Sequence, residues 1–305
     1  MDRRSWTLLL ILAGIWGASY MFIEIGLRDM GPAVIAFLRV ALGALVLVPL
    51  AAARGEMRWM GAEIGVITAI AAVQAAGPFL LIGLGQEEIT SSLAGILVSS
   101  TPIFTALLAI WLDREERSTG LRLVGVVTGF AGVVALLGLD LGGSGAALLG
   151  GAAVLLAGFG YAVGGFVNKR KLAEKPPLGL AAAVMVASTV LLIPAAIIEI
   201  PPEAPGLGPI AAVTALGVFG TGIAWWIFFR LIERVGPAKT FVVTYVASAF
   251  ALVYGVTLLD EPLTAGAVIG LLLIVGGSWL AAEGRLPWQP RRAEVPLTVE
   301  AVPTD

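Results

Sequence analysis

Ten apolar segments, each close to the ~20 residues that a helix needs to cross a bilayer, account for most of this chain. The 305 residues are 58% hydrophobic and 13% charged, whereas a soluble domain carries about 25% charged residues. Because a water-soluble fold could not hide so much apolar surface, the solvent for these segments is predicted to be the lipid bilayer. The predicted fold is an all-α polytopic membrane protein of ten transmembrane helices. The segments are 6–27, 32–53, 62–85, 90–112, 119–139, 145–168, 178–199, 207–230, 238–259 and 264–283.

The basic residues fall in alternate connections between these segments. If the N-terminus is cytoplasmic, 17 of the 19 Lys and Arg residues lie in cytoplasmic segments. Of the other two, Arg28 lies in an outer loop and Arg39 lies within a segment. Cytoplasmic loops of membrane proteins carry such an excess of basic residues. The pattern predicts a multi-pass protein of the cell inner membrane with cytoplasmic N- and C-termini.

The sequence also repeats at an offset of about 145 residues. Ala13-Gly14 returns as Ala157-Gly158, and Pro49 returns as Pro194. Five helices per copy is an odd number, so the second copy must enter the membrane inverted, a plan that secondary transporters use around a midplane site. The predicted domains are a first repeat, 1–143, an inverted second repeat, 144–284, with a central cavity between them, and a disordered cytoplasmic tail, 285–305. Further matches are Gly125 with Gly270, Gly132 with Gly277, Leu112-Asp113 with Leu259-Asp260, and Glu116 with Glu261.

Short motifs in both copies carry a family resemblance. They are Phe37-Leu38-Arg39, Ala94-Gly95-Ile96-Leu97, Thr101-Pro102-Ile103-Phe104, Glu116-Arg117, Gly220-Thr221, Gly236-Pro237 and Leu259-Asp260-Glu261-Pro262. With these motifs the chain resembles the EamA type of the drug/metabolite transporter superfamily over nearly its whole length. The resemblance implies ten helices, a cavity lined chiefly by segments 1, 3, 4, 6, 8 and 9, and secondary transport, frequently the export of amino acids. It favours the branch that exports aromatic amino acids, although the motifs do not define a substrate.

Polar and aromatic side chains near the middle of these segments are the candidates for a substrate cavity. The amide of Gln74 can donate and accept, which suits a zwitterion. Pro102 lacks an N–H, which frees the carbonyl near Val98 to face a substrate. The alternative is that the hydroxyls bond their own preceding turn and the aromatic rings pack between helices. The full set, in which Thr101 and Ser248 correspond through the repeat, is Trp16, Tyr20, Gln74, Pro78, Phe79, Ser99, Ser100, Thr101, Tyr161, Trp225, Thr244, Tyr245 and Ser248.

Two charged residues lie inside the first two segments. At ~1.5 Å per residue, Glu24 lies ~5 Å and Arg39 ~10 Å from the outer ends. Either charge alone is costly in hydrocarbon, by about 3 kcal/mol on insertion scales, so the two are expected to lie close together. They form either a structural ion pair or an outer gate with a coupling carboxylate, and the sequence leaves both interpretations open.

Other function classes find little support. Without Cys or His, the chain offers no thiolate, haem or His-zinc chemistry, and no metal or cofactor is expected. An intramembrane enzyme, the main alternative, would lack a nucleophile–base pair at depth. No phosphate loop supports an ATP-driven pump, no selectivity filter supports a channel, and no basic run supports nucleic-acid binding. The sequence predicts a secondary transporter of a small molecule, first an amino acid exporter and second a promiscuous multidrug exporter, and it leaves the oligomeric state open.

Overall fold

The computed structural model describes residues 1–112, 120–140 and 144–283. Within these ranges the chain forms ten helical segments and no strand, which confirms the predicted all-α fold. We number the segments α1 to α10. They are α1 Arg3–Gly26, α2 Pro32–Ala53, α3 Met60–Gln86, α4 in two pieces (Ser91–Val98 and Thr101–Leu112), α5 Leu121–Asp140, α6 Gly145–Lys171, α7 Pro177–Ile198, α8 Leu207–Val235, α9 in two pieces (Pro237–Thr240 and Val242–Leu258) and α10 Ala265–Glu283.

Length and hydropathy make this a membrane protein. Among the described residues, seven helices are long and apolar enough to cross a bilayer, and α5, α9 and α10 contribute shorter apolar helices. We call the end of the bundle where α1 begins the N-terminal face, and the end where α1 finishes the far face. Asp113 of the Leu112-Asp113 match, the Glu116-Arg117 motif and the tail 285–305 lie outside the described residues. The boundaries predicted at 143/144 and 284/285 therefore stay predictions.

Several helices begin at local signals that the sequence carries. Asp2 caps α1, accepting a hydrogen bond from the backbone N–H of Ser5 at 3.1 Å. This hydrogen bonding from Ser5 lowers the pKa of the Asp2 carboxyl. Helices α2 and α7 begin with Pro32 and Pro177, and proline suits this position because the first N–H of a helix has no intrahelical acceptor.

Three of the helices are interrupted within the bundle. A π-helical turn occupies Ala72–Ala76 in α3, and a second occupies Val218–Ile223 in α8. The two turns begin 146 residues apart, so they are repeat counterparts, and π turns are frequent at functional sites. Helix α4 breaks after Val98, before Pro102. The carbonyl of Val98, predicted to face a substrate, instead accepts a hydrogen bond from the Thr101 hydroxyl at 2.7 Å.

Helix packing follows a two-fold plan. Each of three helices packs against its own counterpart five positions along, α2 against α7, α4 against α9 and α5 against α10. The contact of α1 with α9 is repeated as α6 with α4, and the contact of α1 with α8 is repeated as α6 with α3. Consecutive helices run in opposite directions because their connections are short, so a helix and its counterpart are antiparallel. The fold is therefore two inverted five-helix repeats.

Carboxylates hold the α2–α7 pair at both ends. On the far face, Glu199 after α7 accepts a hydrogen bond from the N–H of Ala33 in α2 at 2.7 Å. On the N-terminal face, Glu56 after α2 accepts one from the N–H of Gly179 in α7 at 3.0 Å. Each carboxylate places negative charge at the positive end of the partner helix. The two contacts are reciprocal, as an inverted repeat requires.

Candidate functional site

Aromatic rings from both repeats meet where α1 packs against α8. The ring centroid of Trp16 in α1 lies 6.2 Å from that of Trp225 and 5.3 Å from that of Phe228, both in α8. Trp225 in turn lies 5.5 Å from Phe229. These separations are typical of favourable edge and tilted contacts. The structure therefore brings together Trp16 and Trp225, which the sequence predicted as parts of one cavity wall, and adds Phe228 and Phe229.

A second group surrounds a buried arginine. The Nε–H of Arg39 donates to the hydroxyl of Thr221, in the π turn of α8, at 3.0 Å. Its guanidinium lies over the Phe79 ring, 3.8 Å from the centroid, and Phe79 contacts Tyr161 at 6.5 Å between centroids. Tyr20 and Tyr161 lie near enough to Arg39, and to each other, for electrostatic contact. We call Arg39, Thr221, Phe79, Tyr20 and Tyr161 the arginine group. Its members come from α1, α2, α3, α6 and α8.

The two repeats meet in a third group, made of serines. The hydroxyl of Ser99, at the break in α4, is hydrogen-bonded to the hydroxyl of Ser248 in α9. The Ser278 hydroxyl of α10 donates to the carbonyl of Ser99 at 2.7 Å, and the Tyr245 hydroxyl donates to the carbonyl of Ser278 at 3.2 Å. Ser248 thus contacts Ser99, two residues before its repeat counterpart Thr101.

The remaining predicted site residues make local or packing contacts. Gln74 and Pro78 both lie against α6, as their spacing of four predicts, beside Gly164 and Gly160 respectively. The hydroxyl of Ser100 donates to the carbonyl of Leu97 at 2.7 Å, and that of Thr244 donates to the carbonyl of Phe241 at 2.8 Å. Ser100 and Thr244 therefore follow the alternative interpretation, in which a hydroxyl bonds to the preceding turn of its own helix.

Glu24 and Arg39 do not form the expected ion pair. Arg39 turns towards α8 and α3, whereas the carboxyl of Glu24 adjoins the Gln86 side chain and lies near Glu261 and Arg28. Thr221 and the Phe79 ring contact the guanidinium, and no carboxylate among the described residues forms an ion pair with it. Glu24 keeps one buried carboxyl oxygen, Oε2, without a hydrogen-bond partner in the described part of the chain.

Glu261 is a site residue that sequence reasoning missed. It precedes α10, and its carboxylate accepts hydrogen bonds at the start of α4 from the N–H groups of Ser91, at 2.8 Å, and Ser92, at 3.0 Å, and from the Ser92 hydroxyl. Its match with Glu116 in the repeat was visible, but the helix that it would cap was not. Thr221 and Ser278 were missed as well. A signal for Thr221 existed, because Thr221 stands about one repeat offset after Gln74 and lies between two glycines.

Comparison with known proteins places this geometry in a family. Residues 4–138 and 148–282 each match the EamA-like transporter family. An uncharacterized transporter of Archaeoglobus fulgidus is 27% identical, covering 92% of this chain and 100% of the relative. A probable amino-acid metabolite efflux pump of Escherichia coli K12 is 25% identical, covering 95% and 98%. The inner membrane transporter YedA of the same strain is 27% identical, covering 94% and 93%.

A solved crystal structure supports the same fold. It superposes with a TM-score of 0.65 at 20% identity, covering 92% of this chain and 97% of that one. The two family matches coincide with the two five-helix repeats, and the matches together span most of the chain. This protein belongs to the EamA-like transporter family.

Proposed function

We propose that this protein is a secondary transporter that exports amino acids, or metabolites of similar size, across the bacterial inner membrane by alternating access. The N- and C-termini are then cytoplasmic, so the N-terminal face is the cytoplasmic face. The observation that carries the proposal is the Ser99–Ser248 contact, where counterpart helices α4 and α9 meet within the bundle. Because α4 and α9 are repeat counterparts, this contact lies where the two inverted repeats meet, and transporters built on this plan bind their substrate between the repeats.

Support for the substrate class comes from relatives and from the side chains. Two relatives, from Escherichia coli and Salmonella typhimurium, carry the name probable amino-acid metabolite efflux pump. The aromatic rings and the serine hydroxyls together offer a mostly apolar surface with few polar groups, the usual composition of a small-molecule site. A promiscuous multidrug exporter would share the aromatic rings. The buried Arg39 favours amino acids over cationic drugs, because like charges repel strongly at low dielectric.

Counterflow in proteoliposomes tests the proposal. Vesicles loaded with one unlabelled amino acid should accumulate the labelled compound, and a panel of apolar, aromatic and polar amino acids and cationic dyes defines the class. We expect counterflow for apolar or aromatic amino acids and none for the dyes. Accumulation of the dyes alone would replace the proposal with multidrug export, and protein-independent uptake of every compound would reject transport.

A matched pair of variants on α9 connects the assay to the site. Ser248→Ala removes the hydroxyl that meets Ser99, and we expect it to raise the KM of counterflow about 5-fold, roughly one hydrogen bond. Thr257→Val, on the same helix, removes an exposed hydroxyl that bonds only the carbonyl of Val253. It should leave the KM unchanged. Equal effects of the two substitutions would remove the serine contact from the transport path.

A further inference from the structure

Arg39 is a buried cation whose partners are all neutral. Its residue is 8% exposed, and it donates one hydrogen bond, to Thr221. No acidic residue in the described ranges forms an ion pair with it. Buried charges in proteins are normally paired, because removing an ion from water costs several kcal/mol. The arrangement therefore lacks one component, an anion.

The donors left over in the arginine group point to what that anion is. Guanidinium carries five N–H donors in a planar fork, and four of those on Arg39 have no acceptor among the described residues. The hydroxyls of Tyr20 and Tyr161 also lack a hydrogen-bond partner there. None of these atoms is sealed off from water-sized space. A fork of N–H groups with two nearby hydroxyls matches the two oxygens of a carboxylate.

The neighbouring side chains limit what the carboxylate can be attached to. The Phe79 ring covers one face of the guanidinium, and Tyr161 extends that apolar wall. Thr221 holds Nε, so the edge of the fork formed by the Nη atoms is the part left for a ligand. A second carboxylate on the ligand would find no cation among the residues of the arginine group. A ligand with one carboxylate and an apolar or aromatic remainder fits these contacts.

We propose that Arg39, together with the hydroxyls of Tyr20 and Tyr161, binds the carboxylate of the transported molecule and restricts transport to monocarboxylates. This inference rests on the proposed function and specifies its substrate class. Thr221 is a positioning residue that aims the guanidinium. The site joins α1, α2, α3, α6 and α8, so binding of the carboxylate connects the two repeats.

The test compares an apolar amino acid with the amine of the same side chain that lacks the carboxylate. In counterflow we expect Arg39→Gln to raise the KM for the amino acid about 30-fold or more, the scale of a lost charged hydrogen bond, and to leave any uptake of the amine unchanged. Arg4→Gln, which removes an exposed arginine at the start of α1, is the matched control and should alter neither. Equal changes for acid and amine, or none, would overturn the inference.

Two further measurements keep the test decisive. If Arg39→Gln does not fold, Thr221→Val keeps the charge but removes its positioning bond, and it should weaken uptake of the amino acid several-fold without changing uptake of the amine. Thermal stabilisation of purified protein by the acid, but not by the amine, tests binding without transport. Stabilisation by the acid without any counterflow would reject the proposed function but support the carboxylate site. Counterflow with no preference for the acid would support the proposed function but reject the carboxylate site.

A separate observation concerns the far face. Three buried side-chain atoms have no hydrogen-bond partner in the described ranges, Glu24 Oε2, Gln86 Oε1 and Ser91 Oγ. Gln86 is 4% exposed, and its amide nitrogen donates to the carbonyl of Tyr20 at 2.9 Å, so its oxygen is the free end. The Gln86 side chain adjoins the carboxyl of Glu24. A carboxyl oxygen that is buried without a donor, as Glu24 Oε2 is, favours the neutral acid over the carboxylate.

Glu24 and Glu261 differ in the hydrogen-bond donors that surround their carboxyl groups. Glu261, the nearby carboxylate, accepts three hydrogen bonds at the start of α4, so each of its two oxygens has a donor. Glu24 has Arg28 as its nearby cation, but its Oε2 has no donor. We propose that Glu24 is protonated when the far face is closed and ionised when it opens, which makes the closure of this face pH-dependent.

Spin-label distances test this latch. The chain has no cysteine, so Glu88→Cys and Leu207→Cys place the only two labels, one per repeat, on the far face. Between about pH 5 and about pH 8, which brackets a buried carboxyl, we expect the distance to lengthen. Glu24→Gln, a neutral mimic, should stay closed throughout, whereas Glu203→Gln, which removes an exposed carboxyl on the same face, should keep the response.

Two other outcomes would show whether Glu24 responds to protons or to a metal cation. A pH response that survives in Glu24→Gln overturns the latch. A distance change driven by sodium at constant pH, and lost in Glu24→Gln, would also overturn it and assign the three oxygens to a metal cation instead of a proton.

Discussion

In the first repeat, α1 and α2 bury a carboxyl and a guanidinium, those of Glu24 and Arg39, whereas the corresponding positions of the second repeat hold Asn168 and Val184. The scaffold shows no such difference. The π turns of α3 and α8, the helix contacts and the carboxylate caps of α2 and α7 all have counterparts. The two repeats share a shape but not a charge pattern.

The symmetric scaffold and the one-sided charges therefore have different expected roles. A symmetric scaffold lets the same rearrangement open either face, because each repeat presents the same helix contacts in inverted order. The one-sided charges cannot be part of that symmetry, and under the proposed function they give the substrate a single orientation. Changes to paired scaffold contacts should therefore act on stability in related ways, and changes to the charges should act on selectivity and pH dependence.

The largest effect is expected where α1 crosses α9. A Cβ at Gly17 would lie 2.5 Å from the Phe250 Cβ and 2.7 Å from the Ala247 carbonyl oxygen, and the backbone carbonyl cannot move aside. Gly17→Leu should lower the unfolding free energy by about 3 kcal/mol, at the upper end for overpacking. The measurement is the fraction of the variant that remains folded in detergent. Gly165→Leu, where a Cβ meets nothing within 4 Å, should be tolerated. Equal stability of the two variants would contradict the α1–α9 packing.

An intermediate effect tests the reciprocal caps directly. Glu56→Ala and Glu199→Ala each remove a carboxylate that accepts a hydrogen bond from the start of the counterpart helix. Each should lower the unfolding free energy by about 1 kcal/mol, and the two losses should add, because the caps lie on opposite faces. Thermal unfolding of the single and double variants measures both statements.

Exposed carboxylates on the same faces supply the controls for the caps. Glu174→Ala on the N-terminal face and Glu203→Ala on the far face remove acidic side chains that are exposed to solvent, and they should change Tm little. If one cap variant unfolded the protein and the other changed nothing, the symmetric part of the comparison would be wrong.

The smallest effect distinguishes Glu87 from its repeat counterpart Glu233. Burial, with contributions from Glu199 and Glu88, raises the pKa of Glu87, so ionisation of Glu87 disfavours the folded state above that pKa. Glu87→Gln should therefore raise Tm at about pH 7 and lose this advantage at about pH 4, where both states are protonated. Glu233 contacts Arg230 at 3.7 Å, so Glu233→Gln should give no gain. A gain that persists in acid would contradict the electrostatic cause.

Much of the fold could be predicted because membrane insertion depends on simple sequence features. The lengths of the apolar segments predicted the ten helices, and the alternation of basic residues together with the small-residue matches indicated inverted copies. The interruptions were harder to predict. Nothing in Ala72–Ala76 or Val218–Ile223 marks a π turn, since the sequence pattern of α-helix and π-helix is the same and the choice depends on packing.

The site could be predicted only as a set of candidates. Depth in the membrane identified Trp16, Phe79 and Ser99 as inward candidates, but not which neighbour each would meet. The expected pairing of Glu24 with Arg39 was wrong because charge attraction was considered without the direction in which each side chain extends, and Arg39 extends to Thr221 and Phe79 instead. Contacts between distant helices, such as Glu261 with Ser92, depend on how helices cross, which a single sequence does not specify.

The most direct test of the central claim measures distances at both faces of one protein. Labels at Arg58 and Arg234 report the N-terminal face, and labels at Glu88 and Leu207 report the far face, with one site per repeat in each pair. On adding an amino acid that shows counterflow, the two distances should change in opposite directions, one face closing as the other opens. Distances that change together, or that stay constant while counterflow proceeds, would contradict two inverted repeats that alternate access to a shared site.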